Sequence, residues 1–274
     1  MKRIKALRWA AAAAVLAAVL ALGAAAAPRT PKVVRDGSAY TGAVRLKNGT
    51  TYVRLREFAE SLGGDVTWDG KTGVAGVSAP SLTVSAKNGS SYILANGRAL
   101  ICPENVFIED GRTYVSLRAI GAAFGYETGW NADTFTASLK RVRSAIVPDY
   151  EYYDSEDLYW LSRIVSAEAR GEVLAGKLAV ATVVMNRVRS DSFPNSVYGV
   201  IFDRAGGVQF TPVANGTIYR SPDSESVIAA KLCLEGGSVN GDILFFLNAR
   251  LAESFWITQN RRYVMTVGNH DFYA

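Results

Sequence analysis

Histidine is almost missing from this chain, which has one, His270, and only two cysteines, Cys102 and Cys233. A zinc centre built mainly from histidine, aspartate or cysteine therefore lacks its usual ligands, and no metal or other cofactor is expected. Two cysteines in different halves of the chain cannot make a disulfide framework, so both read as buried or free thiols. Cys233 also lies within the apolar helical pattern Val227 to Leu234, a core setting rather than the helix start that activates a thiolate. No nucleophile-elbow signature marks a catalytic serine. Positive charge is scarce too once its position is considered. Lys2, Arg3, Lys5 and Arg8 supply four of the five net charges and leave the rest near +1, so no nucleic-acid partner is expected. Beyond residue 27 no apolar run is long enough to span a bilayer.

Those four cations precede an uncharged apolar stretch, Trp9 to Leu22, and a small-residue end, Gly23 to Ala27. This is the layout of a secretory signal peptide over residues 1–27, with cleavage near Ala26 or Ala27. An uncleaved anchor is the competing reading, but alanine is a weak membrane residue and the Ala-rich end suits a peptidase. The membrane is thus met only through this segment before cleavage. The roughly 245 residues that follow suit two domains.

An internal repeat organises the first of them. Asn48-Gly-Thr-Thr-Tyr-Val-Arg-Leu-Arg56 matches Asp110-Gly-Arg-Thr-Tyr-Val-Ser-Leu-Arg118 at a constant offset, and the match continues to Trp68-Asp69 and Trp130-Asn131. Each copy predicts a hairpin at an Asn-Gly or Asp-Gly turn, a short helix ending at glycine, and a second hairpin. Two copies are too few for a solenoid, so they are expected to pack into one small α+β module over residues 35–143. The repeat resembles the copper amine oxidase N-terminal-like domain of secreted proteins. Its name implies copper, yet the segment has no histidine and only Cys102, so no copper is expected. Tyr52, Tyr114, Trp68 and Trp130 could form a carbohydrate-stacking platform, but aromatics at equivalent repeat positions are expected in the core. Residues 144–154, with Pro148 and a Tyr/acid-rich run, read as a linker.

Asp154-Ser-Glu-Asp157 is a helix N-cap followed by first-turn acids, after which Leu158, Leu161, Ile164 and Val165 recur at helical spacing. Glu168 continues that apolar stripe, and Gly171 stops the helix. A carboxylate on a buried stripe is costly unless paired or protonated, and desolvation moves its pKa toward that of a general acid. Glu168 is therefore either a catalytic acid or a buried glutamate satisfied by Arg163, Arg170 or backbone donors. Glu172 reads as its partner or as the first-turn acid of the next helix. In that helix Leu174, Leu178, Ala181, Met185 and Val188 form one stripe. Asn186 stands at its end, either lining a cleft or capping.

Ser166-Ala-Glu-Ala-Arg-Gly-Glu172, Ala179 to Val188, Phe193-Pro194, Gly207 to Val213, Phe245-Phe-Leu-Asn248 and Val267 to Tyr273 together resemble the SleB/CwlJ cell-wall hydrolase family. The resemblance covers nearly all of residues 155–274. It implies a mostly helical domain with a small β-sheet, akin to lysozyme-like lytic transglycosylases, acting on peptidoglycan outside the cell, with Glu168 as the catalytic acid. Leu247 and Ala249 depart from the family's usual Phe-Tyr-Asn-Pro run. Glu172, Asn186, Gln209, Thr211, Phe246, Asn248, Asn269 and His270 are the candidate substrate-binding residues of a sugar cleft, although several also suit turns or backbone contacts. The expected architecture is thus α+β throughout.

Peptidoglycan offers amide, peptide and glycosidic bonds, and the residue inventory leaves the last, which needs only carboxylates. Hydrolysis uses two, whereas a lytic transglycosylase uses one glutamate and the muramic-acid C6 hydroxyl. With no second acid as well marked as Glu168, transglycosylation is the preferred reading. A water-using muramidase or glucosaminidase and a catalytically silent wall-binding protein are the alternatives. Spore cortex and vegetative wall are both open as substrates, and the N-terminal module is a candidate for an accessory wall or protein contact.

Overall fold

The computed structural model describes residues 29–205, 207, 209–239, 241–250 and 256–274, and the expected signal segment lies outside them. After β1 (Lys32–Arg35) and β2 (Ser38–Ala39), the first repeat forms β3 (Val44–Lys47), β4 (Thr50–Arg54), the helix α1 (Leu55–Glu60), β5 (Asp65–Asp69) and β6 (Val74–Ala79). Three strands outside the repeat pattern follow: β7 (Leu82–Lys87), β8 (Tyr92–Ala95) and β9 (Arg98–Ile101). The second repeat restates the first as β10 (Phe107–Glu109), β11 (Arg112–Ser116), α2 (Leu117–Ala123), β12 (Tyr126–Asn131) and β13 (Thr136–Arg141). The turn chemistry explains the hairpins, since Asn48-Gly49 and Asp110-Gly111 both hold positive φ at their two central residues.

The two copies join through β4 and β11, which pair antiparallel with the repeat-equivalent residues Val53 and Val115 directly opposite each other. A pseudo-twofold axis therefore passes through that pair, and each repeat lays its first hairpin beside the other's helix and second hairpin. Tyr52 and Tyr114 are fully buried, as expected of repeated core aromatics. Their hydroxyls are satisfied, accepting from Glu104 N and Arg54 Nε respectively. Trp68 and Trp130 are not core, contrary to expectation: they are 47% and 50% exposed. They sit on β5 and β12, whose outer faces are left open in their sheets.

The second half starts with one turn, α3 (Asp149–Tyr152), then α4 (Ser155–Ala169) and α5 (Leu174–Val188). Short helices α6 (Val197–Phe202) and α7 (Thr211–Asn215) and a 3-10 turn over Thr217–Tyr219 lead to α8 (Ser224–Leu234). Strand β14 (Phe245–Leu247), helix α9 (Trp256–Asn260) and strands β15 (Tyr263–Val267) and β16 (His270–Tyr273) finish the chain, the strands ordered β14-β16-β15. Asp154 caps α4 as the sequence predicts, accepting from Glu156 N and Asp157 N. Helix α5 departs from the single-stripe expectation. Gly176 to Val184 is buried all round, because α4, α8 and the sheet enclose it. Among the described residues no helix is long and apolar enough to cross a membrane.

Residues 144–154 do not run free between the halves. Ile146 is buried in the first core, and its N–H donates to Ala123 O. Gly125, at φ +83°, is required there because a Cβ would overlap the Ser144 carbonyl. The β8–β9 hairpin meanwhile docks on α8. Arg98 forks onto Glu235 at 2.6 and 2.8 Å, Tyr153 donates to the same carboxylate, and Ala99 is buried in the second core. Lys231 on α8 reaches back to Gly97 O and Asp149. Since Arg98 and Glu235 are both buried, Arg98→Ala leaves an unpaired buried carboxylate and is expected to cost about 3 kcal/mol in urea unfolding. A loss below about 1 kcal/mol would mean that the halves dock without this pair.

Candidate active site

Helix α4 delivers Glu168 to its last turn because Leu161, Ile164 and Val165 on the same stripe are fully buried. The turn is held in place by a polar network at the start of α8. Asp223 accepts from Ser166 of α4 at 3.1 Å, from the buried Lys177 of α5 at 2.9 Å, and from the backbone and hydroxyl of Ser226 at 3.0 and 2.7 Å. Lys177 also meets Glu225 at 2.9 Å. Burial alone would raise the Asp223 carboxyl, but the Ser226 hydroxyl and Lys177 outweigh it and hold it well below the usual carboxylate range. Arg170 adds a bond to Ser221 O, tying the end of α4 to the approach of α8.

Glu168 opens into a cavity of about 370 Å³. One wall is α4, with Arg163, Ala167 and Arg170, and the other is the α7 and 3-10 segment, with Thr211, Asn215, Thr217 and Arg220. Glu168 is the only carboxylate on this lining among the described residues. Burial pushes its pKa up to about 7, and three arginines line the cavity without forming an ion pair with it. The alternative of a glutamate satisfied by Arg163 or Arg170 is thus not what the structure holds. The Arg163 guanidinium lies over Tyr159 at 3.6 Å, and Arg170 is turned to Ser221. A carboxyl half-protonated near neutral pH, facing a half-open cleft of mixed polarity, can both give and take a proton.

Of the other candidate residues, Thr211 alone shares the cavity with Glu168. Glu172 lies instead beneath the β15–β16 turn, where it accepts from the Asn269 side chain at 2.7 Å and stands 3.7 Å from His270 Nδ1. Gly268 is needed beside it, since φ is +60° and a Cβ would overlap the Glu172 carboxylate. His270 is buried, and desolvation lowers its pKa despite Glu172 and Asp271, so it is neutral at pH 7 and forms no ion pair. Phe246 packs edge-on to His270 and against Phe272 in the same cluster. Asn186 clamps the carbonyls of Gly241 and Ile243, Gln209 turns onto Ala205 O and Gly207 O, and Asn248 accepts from Arg250 N. Asn215, Thr217 and Arg220 are not among the sequence candidates, and Arg163 is read there only as a possible partner of Glu168. Only Asn215-Gly216 left a signal, as a turn, and Gly216 does hold φ +77°.

The module's namesake metal does not fit its residues. Cys102 is buried with its thiol pushed up to about 11 by desolvation, the only histidine lies in the other half, and no group of three potential ligands clusters among the described residues.

Two family models match the chain. Residues 34–139 match the family described as Copper amine oxidase N-terminal domain, and residues 171–273 match Cell Wall Hydrolase. The latter match begins just after Glu168. A spore cortex-lytic enzyme of Bacillus cereus is 38% identical over 44% of this chain and 45% of its own, and that of Bacillus subtilis strain 168 is 37% identical over 44% and 38%. The chain thus spans less than half the length of the curated relatives it matches. Among solved structures, the catalytic domain of the germination-specific lytic transglycosylase SleB from Bacillus anthracis is 38% identical, covering 47% of this chain and 100% of that one, at a TM-score of 0.41. The catalytic domain of Bacillus cereus SleB is 38% identical, covering 44% and 92%, at 0.40. The chain therefore carries a cell wall hydrolase domain of the SleB type behind a copper amine oxidase N-terminal domain.

Proposed function

We propose that the protein is an exported lytic transglycosylase that cuts peptidoglycan glycan strands, with Glu168 as its acid/base. The observation that carries this reading is a single carboxylate of raised pKa on a cavity lining that holds no second acid among the described residues. Glu172 is engaged by Asn269, Asp203 by Ala205 N, and Asp271 by the Thr266 hydroxyl. A hydrolase needs a group to activate water or to form a glycosyl intermediate, and none of these lies at the cavity. Substrate assistance removes that requirement.

The reaction balances on one proton. Protonated Glu168 gives its proton to the glycosidic oxygen as the bond to the muramic-acid C1 breaks. The C6 hydroxyl of the same sugar then bonds to C1, and its proton passes to the Glu168 carboxylate. A 1,6-anhydro end forms without water, and Glu168 is again protonated. A pKa near 7 suits both transfers, since neither the acid nor its conjugate base is strongly favoured. Arg163, Arg170 and Arg220 on the lining would meet carboxylates of the stem peptides. Export rests on the basic, apolar and Ala-rich pattern of residues 1–27. Because the curated relatives are cortex-lytic, spore cortex stands beside vegetative wall as the first substrate to digest.

Glu168→Gln is expected to keep the fold and lower turnover by about 10² to 10⁴. Mass spectrometry of a parental digest should find anhydromuramic ends, one water lighter than reducing ends. Reducing ends alone would make the enzyme a muramidase or glucosaminidase, and no cleavage of either substrate would leave a wall-binding protein. The rate should fall as pH rises through about 7, where the acid form of Glu168 is lost. A rate unchanged between pH 6 and 8 would remove Glu168 as the acid.

Stability carries a second signature of the same carboxyl. The folded pKa of Glu168 lies above its unfolded value, so the folded state binds more protons between them and loses stability as pH rises toward 7. Glu168→Gln removes that loss. It should stabilise the chain by roughly 3 kcal/mol at pH 8 and by nothing at pH 4. Equal stability of the two chains at both pH values would mean that the carboxyl is not desolvated.

A further inference from the structure

The exposed tryptophans of the N-terminal module are left unexplained by packing. Trp68 and Trp130 occupy equivalent positions in the two repeats, and each keeps about half its surface in water while the equivalent tyrosines are wholly buried. Each borders a groove. The first, about 670 Å³, places Trp68 with Arg56, Val66 and Ala75 against Gly111 and Arg112 from the other repeat's hairpin turn. The second, about 370 Å³, places Trp130 with Arg118, Thr128 and Ala137 against Gly49 and Thr50. Arg56 and Arg118, Val66 and Thr128, Ala75 and Ala137, and Gly111 and Gly49 are repeat-equivalent pairs. The grooves are therefore two copies of one feature, related by the axis through Val53 and Val115, and each borrows its far wall from the opposite repeat.

The chemistry of the two copies is also shared. Each offers a half-exposed indole, and each carries an arginine that forms no ion pair within 4.0 Å among the described residues, though at non-equivalent positions: Arg112, which corresponds to Thr50, in the first and Arg118, which corresponds to Arg56, in the second. In the first groove Arg54 is already paired with Glu57 and Arg56 with Glu60, so Arg112, which acts on Glu57 only through space, is the cation without a direct partner. Tryptophan and arginine are both enriched among the residues that dominate binding surfaces. An indole suits the flat C–H face of a pyranose ring, and a guanidinium suits a carboxylate. Peptidoglycan presents both, pyranose rings along its glycan strand and carboxylates on the stem peptides attached to it.

We propose that the N-terminal module holds two pseudo-equivalent grooves for peptidoglycan glycan strands, with Trp68 and Trp130 as stacking platforms and Arg112 and Arg118 as carboxylate contacts. The proposal rests on the reading of the neighbouring domain as peptidoglycan-cleaving, which names the polymer at hand. Two grooves on one module would hold the chain on the wall by avidity while Glu168 acts on strands within reach.

The test uses the full chain carrying Glu168→Gln, so that nothing is cut, pelleted with purified sacculi stripped of accessory polymers. Trp68→Ala and Trp130→Ala are each expected to weaken binding about 10-fold, and the pair together about 100-fold or more. Trp→Phe at each site should retain most binding, and unchanged melting would exclude a folding defect. Arg112→Gln with Arg118→Gln should weaken binding and flatten its salt dependence. Sedimentation of the double tryptophan variant at the parental level overturns the proposal, as does binding seen only with unstripped sacculi. Cleavage is scored separately, with Glu168 intact, on short soluble strands, where the double tryptophan variant should match the parent. If the parent cuts nothing but binding still depends on the tryptophans, the catalytic reading fails and the grooves stand.

Discussion

The ion pair between Lys177 and Asp223 is the interaction on which the catalytic half depends. A lysine on a helix that is buried all round is costly to desolvate, and its charge must be met. Asp223 meets it from the N-cap of α8 and, with the same carboxylate, accepts from Ser166 on α4. Three helices thus converge on one charge two residues from Glu168. The site's acid can remain unpaired because the polar network beside it is satisfied. Its raised pKa reflects burial alone, which is what the proposed role of proton carrier requires.

A second charged contact joins the halves. Arg98, Glu235, Tyr153 and Lys231 bring the β8–β9 hairpin, the α3 turn and α8 together, with Ala99 inside the catalytic core. The module is consequently not a bead on a string. Its extra strands β7 to β9, which fall between the repeats, supply the docking surface. The duplicated parts, released from that role, keep their open faces for other contacts, and the two tryptophan grooves lie on those faces.

Duplication also explains why the grooves come in pairs. When Val53 and Val115 pair across the axis, each hairpin turn is carried to the opposite repeat's helix. Any feature made between turn and helix then appears twice. The copies are not equal, since Arg54 in one repeat is Ser116 in the other, and the grooves differ in volume.

Much of this was legible in local pattern. The Asn-Gly and Asp-Gly turns, the Asp154 cap, the burial of both cysteines and the place of Glu168 on an apolar stripe follow from spacing of a few residues. Their causes, turn φ values, cap bonds and helical period, are equally local. Other features depend on residues far apart in the chain. Periodicity puts Trp68 and Trp130 on strands but does not say whether a sheet's outer face is covered, and here it is not. Glu172, four residues from Glu168, seemed its natural partner, yet the Gly171 break sends it to Asn269, nearly a hundred residues on. The cavity wall of Thr211, Asn215, Thr217 and Arg220 faces Glu168 only because Asp223 and Ser221 anchor that segment to α4. Sequence determined which residue would be an expensive acid, because the cost of burying charge is written in the period of its own helix. Tertiary structure alone decided what faces that acid, because the opposing wall is set by contacts between segments that no local period relates.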